Sequence, residues 1–250
     1  MGVMGVSGMT GEPGADWPAK GRRLVVAVDG PAGAGKGAVC RSAAERFGLA
    51  YLETGALYRA VGLIALRGGL TGEAELARVA GTMPFAFRAL GAGCYGAFLG
   101  DEEVTLALRV EAVGQTASKV AAMPGVRAAL LDFQRRYGHE QNIILDGRDV
   151  GTKVWPDADL KIFLTASLEE RAKRRAVELQ ARGEAVNLTE LIAGMAERDA
   201  RDAGRAHAPM EAAPGAVLVD TSPLSLKESC QAVWRLIAPL FDGSGNAAAC

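Results

Sequence analysis

Residues 24–37 have the sequence L-V-V-A-V-D-G-P-A-G-A-G-K-G, and this stretch decides the fold. Its uninterrupted apolar run, which ends at Asp29, is typical of a buried parallel strand. Gly30 to Lys36 then follow the pattern G-x-x-x-x-G-K, whose backbone N–H groups can surround a phosphate at the start of a helix predicted for residues 37–47. This order of strand, loop and helix predicts a phosphate-binding loop, with Lys36 reaching the outer phosphates.

The same alternation of strand and helix continues along the chain. Further short apolar runs end at acidic or turn residues, and helical stretches follow them. This spacing predicts an α/β fold in three layers, with a central parallel sheet and helices on both faces. The predicted strands cover residues 24–28, 142–145, 160–164 and 216–219, and the predicted helices cover residues 37–47, 167–181 and 225–240.

The region of about residues 81–111 departs from this alternation. Two short β-prone runs flank a glycine-rich turn there, which predicts a small antiparallel hairpin set inserted into the core. The two ends of the chain, residues 1–22 and 242–250, are rich in glycine and small residues and lack periodicity. We therefore expect flexible tails around one domain of residues 23–241.

The composition excludes several classes of protein. The chain has 250 residues, with 28 Lys+Arg against 29 Asp+Glu and 49% apolar residues. That apolar fraction excludes a disordered chain, and the net charge of −1 argues against a generic nucleic-acid or membrane-surface binder. There is no apolar run long enough for a membrane span, no recognisable secretory signal and no metal-ligand spacing among the cysteines. We therefore expect a cytoplasmic protein with reduced cysteines.

A dinucleotide-binding loop is the main alternative to the phosphate loop. Residues 33–38 also match G-x-G-x-x-[G/A], with Glu53 at the end of the next predicted strand, as in an oxidoreductase. That loop requires its first glycine at the end of the strand, however, and here Gly30 rather than Gly33 has this position. The phosphate loop is therefore the favoured interpretation.

The phosphate loop departs from its commonest form after the lysine. Gly37 stands where many such loops carry the Ser or Thr whose hydroxyl binds Mg²⁺. Loops of the G-K-G type occur in small-molecule kinases, where the metal is held through water and nearby carboxylates. We therefore predict that Mg²⁺ accompanies ATP and has Asp29 in its outer shell.

Three arginine-bearing segments indicate a second phosphorylated ligand. Tyr58 and Arg59 lie in the first turns of a helix that Thr54 is placed to cap, and D-G-R-D-V-G-T follows a predicted strand at residues 146–152. The run R-D-A-R-D-A-G-R at residues 198–205 repeats arginine on one helical face. By itself this run is more typical of a solvated, ion-paired surface helix. Beside a phosphate loop, the three segments together favour a kinase, because arginine donors neutralise charge on a transferring phosphoryl group.

These motifs together resemble those of the bacterial cytidylate kinase family, over about residues 24–240. The matching segments are D-G-P-A-G-A-G-K-G (29–37), T-G-A-L-Y-R (54–59), A-S-K-V-A-A-M-P-G-V-R (117–127), D-G-R-D-V-G-T (146–152), W-P-D-A (155–158) and E-R-D-A-R-D-A-G-R (197–205). The resemblance implies phosphorylation of CMP and dCMP by ATP with Mg²⁺, in a monomer. It also implies that residues 81–111 are a monophosphate-binding insert and that about residues 171–205 form a mobile lid.

The resemblance also implies the roles of individual residues. The catalytic residues would be Lys36, Arg148, Arg198 and Arg205. ATP would be bound by the loop and by one lid arginine, namely Gly30, Pro31, Ala32, Gly33, Ala34, Gly35, Lys36, Gly37, Ala38 and Arg174. CMP would be bound by Thr54, Tyr58, Arg59, Ser118, Arg127, Arg148, Asp149, Arg198, Asp202 and Arg205, with the cytosine edge at Ser118, Arg127 and Asp149. The sequence does not choose among three candidates for an ATP contact in the lid helix, namely Arg171, Arg174 and Arg175.

Ala38 is the notable departure from the family, which usually has Thr after G-K-G. We expect weaker ATP affinity or a lower rate from this change, and no loss of activity. Three alternatives stay open: a kinase for another nucleoside monophosphate, a nucleotide-binding protein without turnover, and the oxidoreductase. The retained Lys36 and arginines argue against the second. A general base is not required, because the attacking CMP oxygen is already anionic.

Overall fold

The computed structural model describes residues 23–91, 94–139 and 141–241, so the predicted tails at residues 1–22 and 242–250 lie outside the described residues. The strands are β1 Val25–Asp29, β2 Ala50–Glu53, β3 Phe85–Gly91, β4 Cys94–Leu99, β5 Glu102–Glu103, β6 Ile143–Gly147, β7 Leu160–Thr165 and β8 Val217–Asp220. The helices are α1 Lys36–Phe47, α2 Thr54–Gly68, α3 Glu73–Thr82, α4 Glu111–Val120, α5 Pro124–His139, α6 Leu168–Gln180, α7 Leu188–Ala203 and α8 Leu226–Ile237.

The predicted parallel sheet is confirmed. Within the described residues it has five strands in the order β2-β6-β1-β7-β8, and every neighbouring pair is parallel. All five residues of β1 are buried. Val26 and Val28 belong to the cluster formed with α1 and α8, whereas Val25 and Ala27 face a second cluster that includes side chains of α5. Helices on both faces thus explain why β1 is a continuous apolar run.

The helix predicted for residues 225–240 is an α-helix followed by a short 3₁₀ turn in the structure. Ser225 is the N-cap of α8, and its hydroxyl accepts a hydrogen bond from the backbone N–H of Glu228. The helix then ends at Ile237, and a short 3₁₀ turn containing Pro239 follows at Ala238–Leu240. Proline lacks the N–H that would continue the α-helical bonding, so the predicted single helix of residues 225–240 is interrupted there.

The region between β2 and β6 contains the predicted hairpin and three helices that the sequence analysis did not identify. Strands β3, β4 and β5 form an antiparallel sheet, as expected. Helices α3, α4 and α5 pack with α2 around a separate core that includes Leu57, Leu76 and Leu130. A Cβ at Gly62 would lie 3.0 Å from the backbone nitrogen of Ala117, so α2 and α4 approach closely at this glycine. This packing brings α4 and α5 to the edge of the sheet where the strands end.

Candidate active site

The phosphate loop joins β1 to α1 and lies tightly against β7. Gly30 has a φ of 143°, and a Cβ there would lie 1.9 Å from the carbonyl oxygen of Leu164 in β7. Gly33 and Gly35 also have positive φ values, 79° and 92°, which residues other than glycine rarely adopt. The glycines of the motif are therefore required by the backbone itself.

Lys36 closes the loop on itself. Its Nζ donates hydrogen bonds to the carbonyl oxygens of Gly30 at 2.8 Å and Pro31 at 3.0 Å. Burial, assisted by the positive charge of Arg148, lowers the pKa of Lys36 to about 7. An anion in the loop opposes both effects, because it favours the charged ammonium.

Asp29 binds backbone groups at the end of β1. Its two carboxylate oxygens accept hydrogen bonds from the backbone N–H groups of Val150 and Gly151, both at 2.8 Å. Burial raises the pKa of Asp29 to about 6, although these two hydrogen bonds act in the opposite direction. Asp29 therefore holds the segment after β6 beside the phosphate loop, and its contact with a metal remains a prediction.

Tyr51 and Asp146 are site residues that the sequence analysis did not assign. The Tyr51 hydroxyl donates to Oδ2 of Asp146 at 2.8 Å. A Cβ at Gly37 would lie 3.4 Å from the Tyr51 hydroxyl oxygen and 3.5 Å from Asp146 Oδ2. This pair thus lies next to the position where other phosphate loops carry a hydroxyl side chain. The signal that could have found Asp146 is its place at a strand end, at the start of D-G-R-D-V-G-T.

The start of α2 carries Thr54 and Arg59. The prediction that Thr54 caps this helix is wrong, because Thr54 is the first helical residue and its hydroxyl donates to the carbonyl oxygen of Asp146 at 2.7 Å. The bond forms because β2 and β6 are neighbours and end side by side. Nη1 of Arg59 donates to the carbonyl oxygen of Leu108 at 2.7 Å, and burial lowers the pKa of Arg59.

Two of the three predicted base-reading residues are in contact. Arg127 and Asp149 form an ion pair whose side chains are only 12% and 7% exposed. The Arg127 guanidinium also lies over the ring of Tyr58, 5.6 Å from its centroid. Burial raises the pKa of Tyr58 to about 12, so its hydroxyl is neutral. The hydroxyl of Ser118, the third such residue, donates to Oδ1 of Asp202 at 3.1 Å.

Asp202 connects several of the predicted ligands of CMP. Its Oδ2 is 3.2 Å from Nε of Arg148. Its Oδ1 accepts hydrogen bonds from Ser118 and Arg205. Burial by itself raises the pKa of Asp202, but the surrounding arginines, led by Arg148, bring it below its ordinary value. The carboxylate is therefore charged and holds its cationic neighbours in fixed positions.

The arginines predicted on one helical face have different environments. Arg198 and Arg201 lie in α7, but the helix ends at Ala203, so Arg205 lies beyond it. Arg201 pairs with exposed Glu197, as on a solvated surface helix, but it also donates to the buried Ser118 hydroxyl at 3.3 Å. Arg205, by contrast, is only 5% exposed. The surface-helix interpretation is therefore wrong for Arg205, whose buried side chain pairs with Asp202.

Positive charge in this region is only partly neutralised. Burial lowers the pKa of Arg198 to about 10, and repulsion from Arg148 and Arg59 adds to the effect. The Nε atoms of Arg198 and Arg205 are buried and have no hydrogen-bond partner among the described residues. A buried donor without a partner costs roughly 1–3 kcal/mol. Guanidinium groups held in this way are suited to bind a phosphate.

The three candidate arginines of α6 point to different places. Arg174 donates to the backbone oxygen of Thr221 at 2.6 Å, and Arg175 is 3.3 Å from Glu111. Both line the cleft. Arg171 is not among the described residues that line it.

A continuous cleft runs along the ends of the parallel strands and joins these groups. It is lined by most of the predicted site residues, among them Lys36, Thr54, Tyr58, Arg59, Ser118, Arg127, Arg148, Asp149, Arg174, Arg198, Asp202 and Arg205. The position of the cleft is the one that open α/β sheets use for ligands. None of the helices in the described part of the chain is long and apolar enough to cross a bilayer.

Comparison with known proteins identifies the family of the chain. The family model for cytidylate kinase matches residues 26–239. A cytidylate kinase from Magnetococcus marinus is 58% identical over 220 residues, which are 88% of this chain and 98% of that protein. A cytidylate kinase from Geobacter sulfurreducens is 45% identical, over 84% of this chain and 91% of that protein. This match excludes the oxidoreductase alternative. The chain belongs to the cytidylate kinase family.

Proposed function

We propose a division of roles within the cleft for the ATP-dependent phosphorylation of CMP and dCMP, the phosphotransferase reaction that membership of this family assigns to the chain. The observation that supports it most directly is the group of mutually repelling arginines, Arg59, Arg148 and Arg198, in the same cleft as Lys36. Two phosphorylated ligands that meet between these arginines and Lys36 would neutralise the positive charge of both.

The donor side is the phosphate loop. Residues 30–38 would surround the ATP phosphates with backbone N–H groups, and Lys36 would bind the outer phosphates. Arg174 lines the same cleft and is the lid residue that we assign to ATP. Ala38 has no hydroxyl to offer, so its contribution is limited to its backbone N–H.

The acceptor side is formed by α2, α7 and the segment after β6. Arg59 and Arg148 would bind the monophosphate of CMP bidentately, with Arg205 supporting them. Arg198 and Asp202 would contact the ribose, close to where Thr54 and Tyr58 line the cleft. The list of acceptor-side ligands is completed by Ser118, Arg127 and Asp149.

Base selectivity would come from Asp149 and its neighbours. A carboxylate accepts a hydrogen bond from the 4-amino group of cytosine, whereas uracil has a carbonyl oxygen at this position. Because Asp149 already forms an ion pair with Arg127, little conformational entropy is lost in fixing its carboxylate when the base binds. Ser118 would approach the same edge of the base from α4.

Catalysis would be mainly electrostatic. An oxygen of the CMP phosphate attacks the γ-phosphorus of ATP, and the bond from this phosphorus to the bridging oxygen breaks, so that ADP leaves with the bonding electron pair. Lys36, Arg148, Arg198 and Arg205 would neutralise the charge shared by the attacking, transferring and leaving groups. Closure of the lid would exclude water from the transfer.

We propose that Mg²⁺ enters with ATP and is held mainly by phosphate oxygens and water. The described residues include no group of three or more His, Cys, Asp or Glu side chains arranged for a metal ion, and Mg²⁺ commonly keeps several waters beside substrate phosphates. Asp29 would act through water, because backbone groups already occupy both of its oxygens. Asp146, beside Gly37, fits the same role. When bound, the ion would screen the repulsion between the two nucleotides.

We also propose that the enzyme acts as a monomer. Every residue assigned here to ATP or CMP belongs to one chain, and those that line the cleft are brought together within it. The site is therefore complete without a second copy. Sedimentation velocity of the full chain, with and without both nucleotides, measures this directly.

The experiment that tests the function is ADP production from Mg²⁺-ATP by the purified chain, with CMP, dCMP, UMP and AMP offered separately. We expect strong turnover with CMP and dCMP, weak turnover with UMP and negligible turnover with AMP. Turnover of AMP equal to that of CMP would contradict the base-reading residues. Tight CMP binding without any turnover would favour a nucleotide-binding protein that Ala38 has made inactive.

A further inference from the structure

Arg171 links three parts of the molecule beneath the cleft. Its side chain is only 7% exposed. Nε donates to the carbonyl oxygen of Ala166, which follows β7, at 3.0 Å. Nη1 donates to the carbonyl oxygen of Ala32 in the phosphate loop at 3.1 Å, and it is 2.6 Å from Oδ2 of Asp199 in α7. One guanidinium thus joins the sheet, the phosphate loop and α7.

The phosphate loop also packs directly on this link. A Cβ at Gly33 would lie 3.0 Å from Cβ of Arg171 and 3.1 Å from Cε of Met195 in α7. Contacts this close leave little room for the loop to move by itself. A shift of the loop backbone at Ala32 or Gly33 must therefore be shared by Arg171 and by α7.

Asp199 is the partner through which α7 is held. It directly follows Arg198, which we assign to CMP, and it lies one turn before Asp202, which holds Arg148 and Arg205. Its Oδ1 is buried without a partner among the described residues, so the carboxylate depends on its bond through Oδ2 to Arg171. The position of the acceptor residues on α7 is thus tied to Arg171.

Binding of ATP would disturb the loop at the residues next to this link. Lys36 donates to the carbonyl oxygens of Gly30 and Pro31, and phosphates that attract the ammonium must compete with both bonds. The backbone of Ala32, whose carbonyl oxygen binds Arg171, directly follows Pro31. The Arg171 guanidinium gives such a movement a direct polar connection to Asp199, beside the packing of Gly33 on Met195.

We propose that Arg171 is a positioning residue that, through Asp199, makes the affinity of the acceptor site for CMP depend on occupation of the phosphate loop. In this role Arg171 does not contact ATP itself, in contrast to the two cleft-lining candidates, Arg174 and Arg175. This inference rests on the proposed function, because it assumes that the cleft binds both nucleotides. By linkage, CMP must change the affinity for ATP by the same factor.

The test is isothermal titration of CMP with and without a saturating non-hydrolysable ATP analogue and Mg²⁺. The ratio of the two dissociation constants is the coupling factor, and for the unmodified chain we expect CMP to bind at least about 5-fold more tightly with the analogue, within the usual range for coupled sites. R171M and D199L should each bring this factor close to 1, because leucine has a similar size to aspartate and no acceptor for Arg171. The double variant should add nothing, because both substitutions break one link.

The control is R67M. Arg67 in α2 forms a bidentate ion pair with Glu102 in β5, and both residues are far along the chain from α6 and α7. The coupling factor of this variant should equal that of the unmodified chain. R171K should retain part of the coupling, because one ammonium can still reach Asp199. D199L removes only the bond to Asp199 and leaves the bonds of Arg171 to Ala32 and Ala166 in place, so the test survives if R171M does not fold.

Three results would overturn the inference. The first is a normal coupling factor in D199L. The second is a large loss of analogue affinity in R171M without CMP that D199L does not share, because a direct phosphate contact behaves in this way. The third is an unmodified chain that binds neither nucleotide, which would overturn the proposed function as well. If the unmodified chain turns over CMP normally and both variants keep its coupling factor, the role of Arg171 is overturned and the proposed function stands.

Discussion

Asp149 is a residue whose surroundings decide its chemistry. Burial raises its pKa, while Arg127, Arg205 and Arg148 act against that rise. Its carboxylate is held by Arg127 beside the ring of Tyr58. A carboxylate fixed in this way offers acceptors and no donor when it is ionised. On the proposed function, we therefore expect the base preference to depend mainly on this carboxylate.

Asp149→Asn should shift the enzyme from CMP toward UMP. The amide can still accept from Arg127 through its oxygen, and its NH₂ group can donate to the 4-carbonyl oxygen of uracil. We expect the ratio of kcat/KM for CMP to that for UMP to fall about 10-fold or more, from the usual energy of a hydrogen bond to a charged group. Steady-state kinetics with both nucleotides measures it.

The matched control is Asp101→Asn, which changes an exposed carboxylate paired with Arg88. This variant should keep the original ratio. Equal losses for CMP and UMP in Asp149→Asn would show that the residue supports the fold and does not read the base.

Lys36 predicts proton uptake when a nucleotide binds. Its pKa is lowered to about 7 by burial and by Arg148, so above that pH the free enzyme holds mostly neutral lysine. Phosphates favour the ammonium and raise the pKa again, so binding should take up a proton and the affinity should fall as the pH rises through 7 to 9.

Calorimetry of Mg²⁺-ADP at pH 8, in buffers of different ionisation enthalpy, measures this uptake. At that pH the terminal phosphate is already ionised, since its pKa is about 6. We expect uptake approaching one proton, and its absence in Lys36→Met. An uptake that persists in the variant would assign the proton to another group.

At the scale of the elements, helix ends follow from local sequence. Ser225 and Glu228 form a reciprocal capping box at the start of α8: the Ser225 hydroxyl accepts from the Glu228 N–H, and the Glu228 carboxylate accepts from the Ser225 N–H. This signal is present in the residues themselves. The α8 helix packs on α1, the helix that follows the phosphate loop, so its formation supports the donor side.

Ser225→Ala should destabilise the protein by about 1 kcal/mol, the usual cost of losing an N-cap side chain. Urea unfolding followed by circular dichroism measures the change. Thr116→Ala is the control, because the Thr116 hydroxyl donates back to the carbonyl oxygen of Ala112 in its own helix through an exposed bond and alanine favours the helix. A loss of stability in Thr116→Ala as large as that in Ser225→Ala would remove the capping explanation.

Other elements could not be found from motifs. No phosphate-loop or arginine motif precedes Ser118 in α3 and α4, and the motif that continues into α5 does not mark where a helix begins or ends. The sequence analysis did not find these three helices for that reason. Their boundaries depend on packing with α2 around Leu57 and Leu130. Thr54 was misplaced for a similar reason, because its hydroxyl binds a carbonyl on β6, 92 residues away in sequence.

At the scale of the molecule, the segment between α6 and α7 is where we expect closure. It joins the helix that carries Arg174 to the helix that carries Arg198, and its residues 182 and 184–187 line the cleft. Amide hydrogen exchange at residues 181–187 should slow at least about 10-fold when CMP and a non-hydrolysable ATP analogue bind together, because closure protects a local unit.

Each nucleotide alone should protect this segment less than both together. The core strand β1 is the internal reference, because all five of its residues are already buried in the structure without ligands. Equal slowing across β1 and residues 181–187 would indicate general stabilisation by mass action and would contradict closure of a lid.

The sequence by itself determined the parallel sheet, the phosphate loop and the set of arginines, because strand burial, glycine backbone angles and motif spacing depend on residues close together in the chain. It also determined the family, through motifs that extend over most of the domain. Only the tertiary structure decided that Arg171 holds Asp199 while Arg174 lines the cleft, that Ser118 binds Asp202, and that Arg205 is buried. These assignments depend on which distant segments approach one another, and so on the packing of α6, α7 and the sheet edge as a whole.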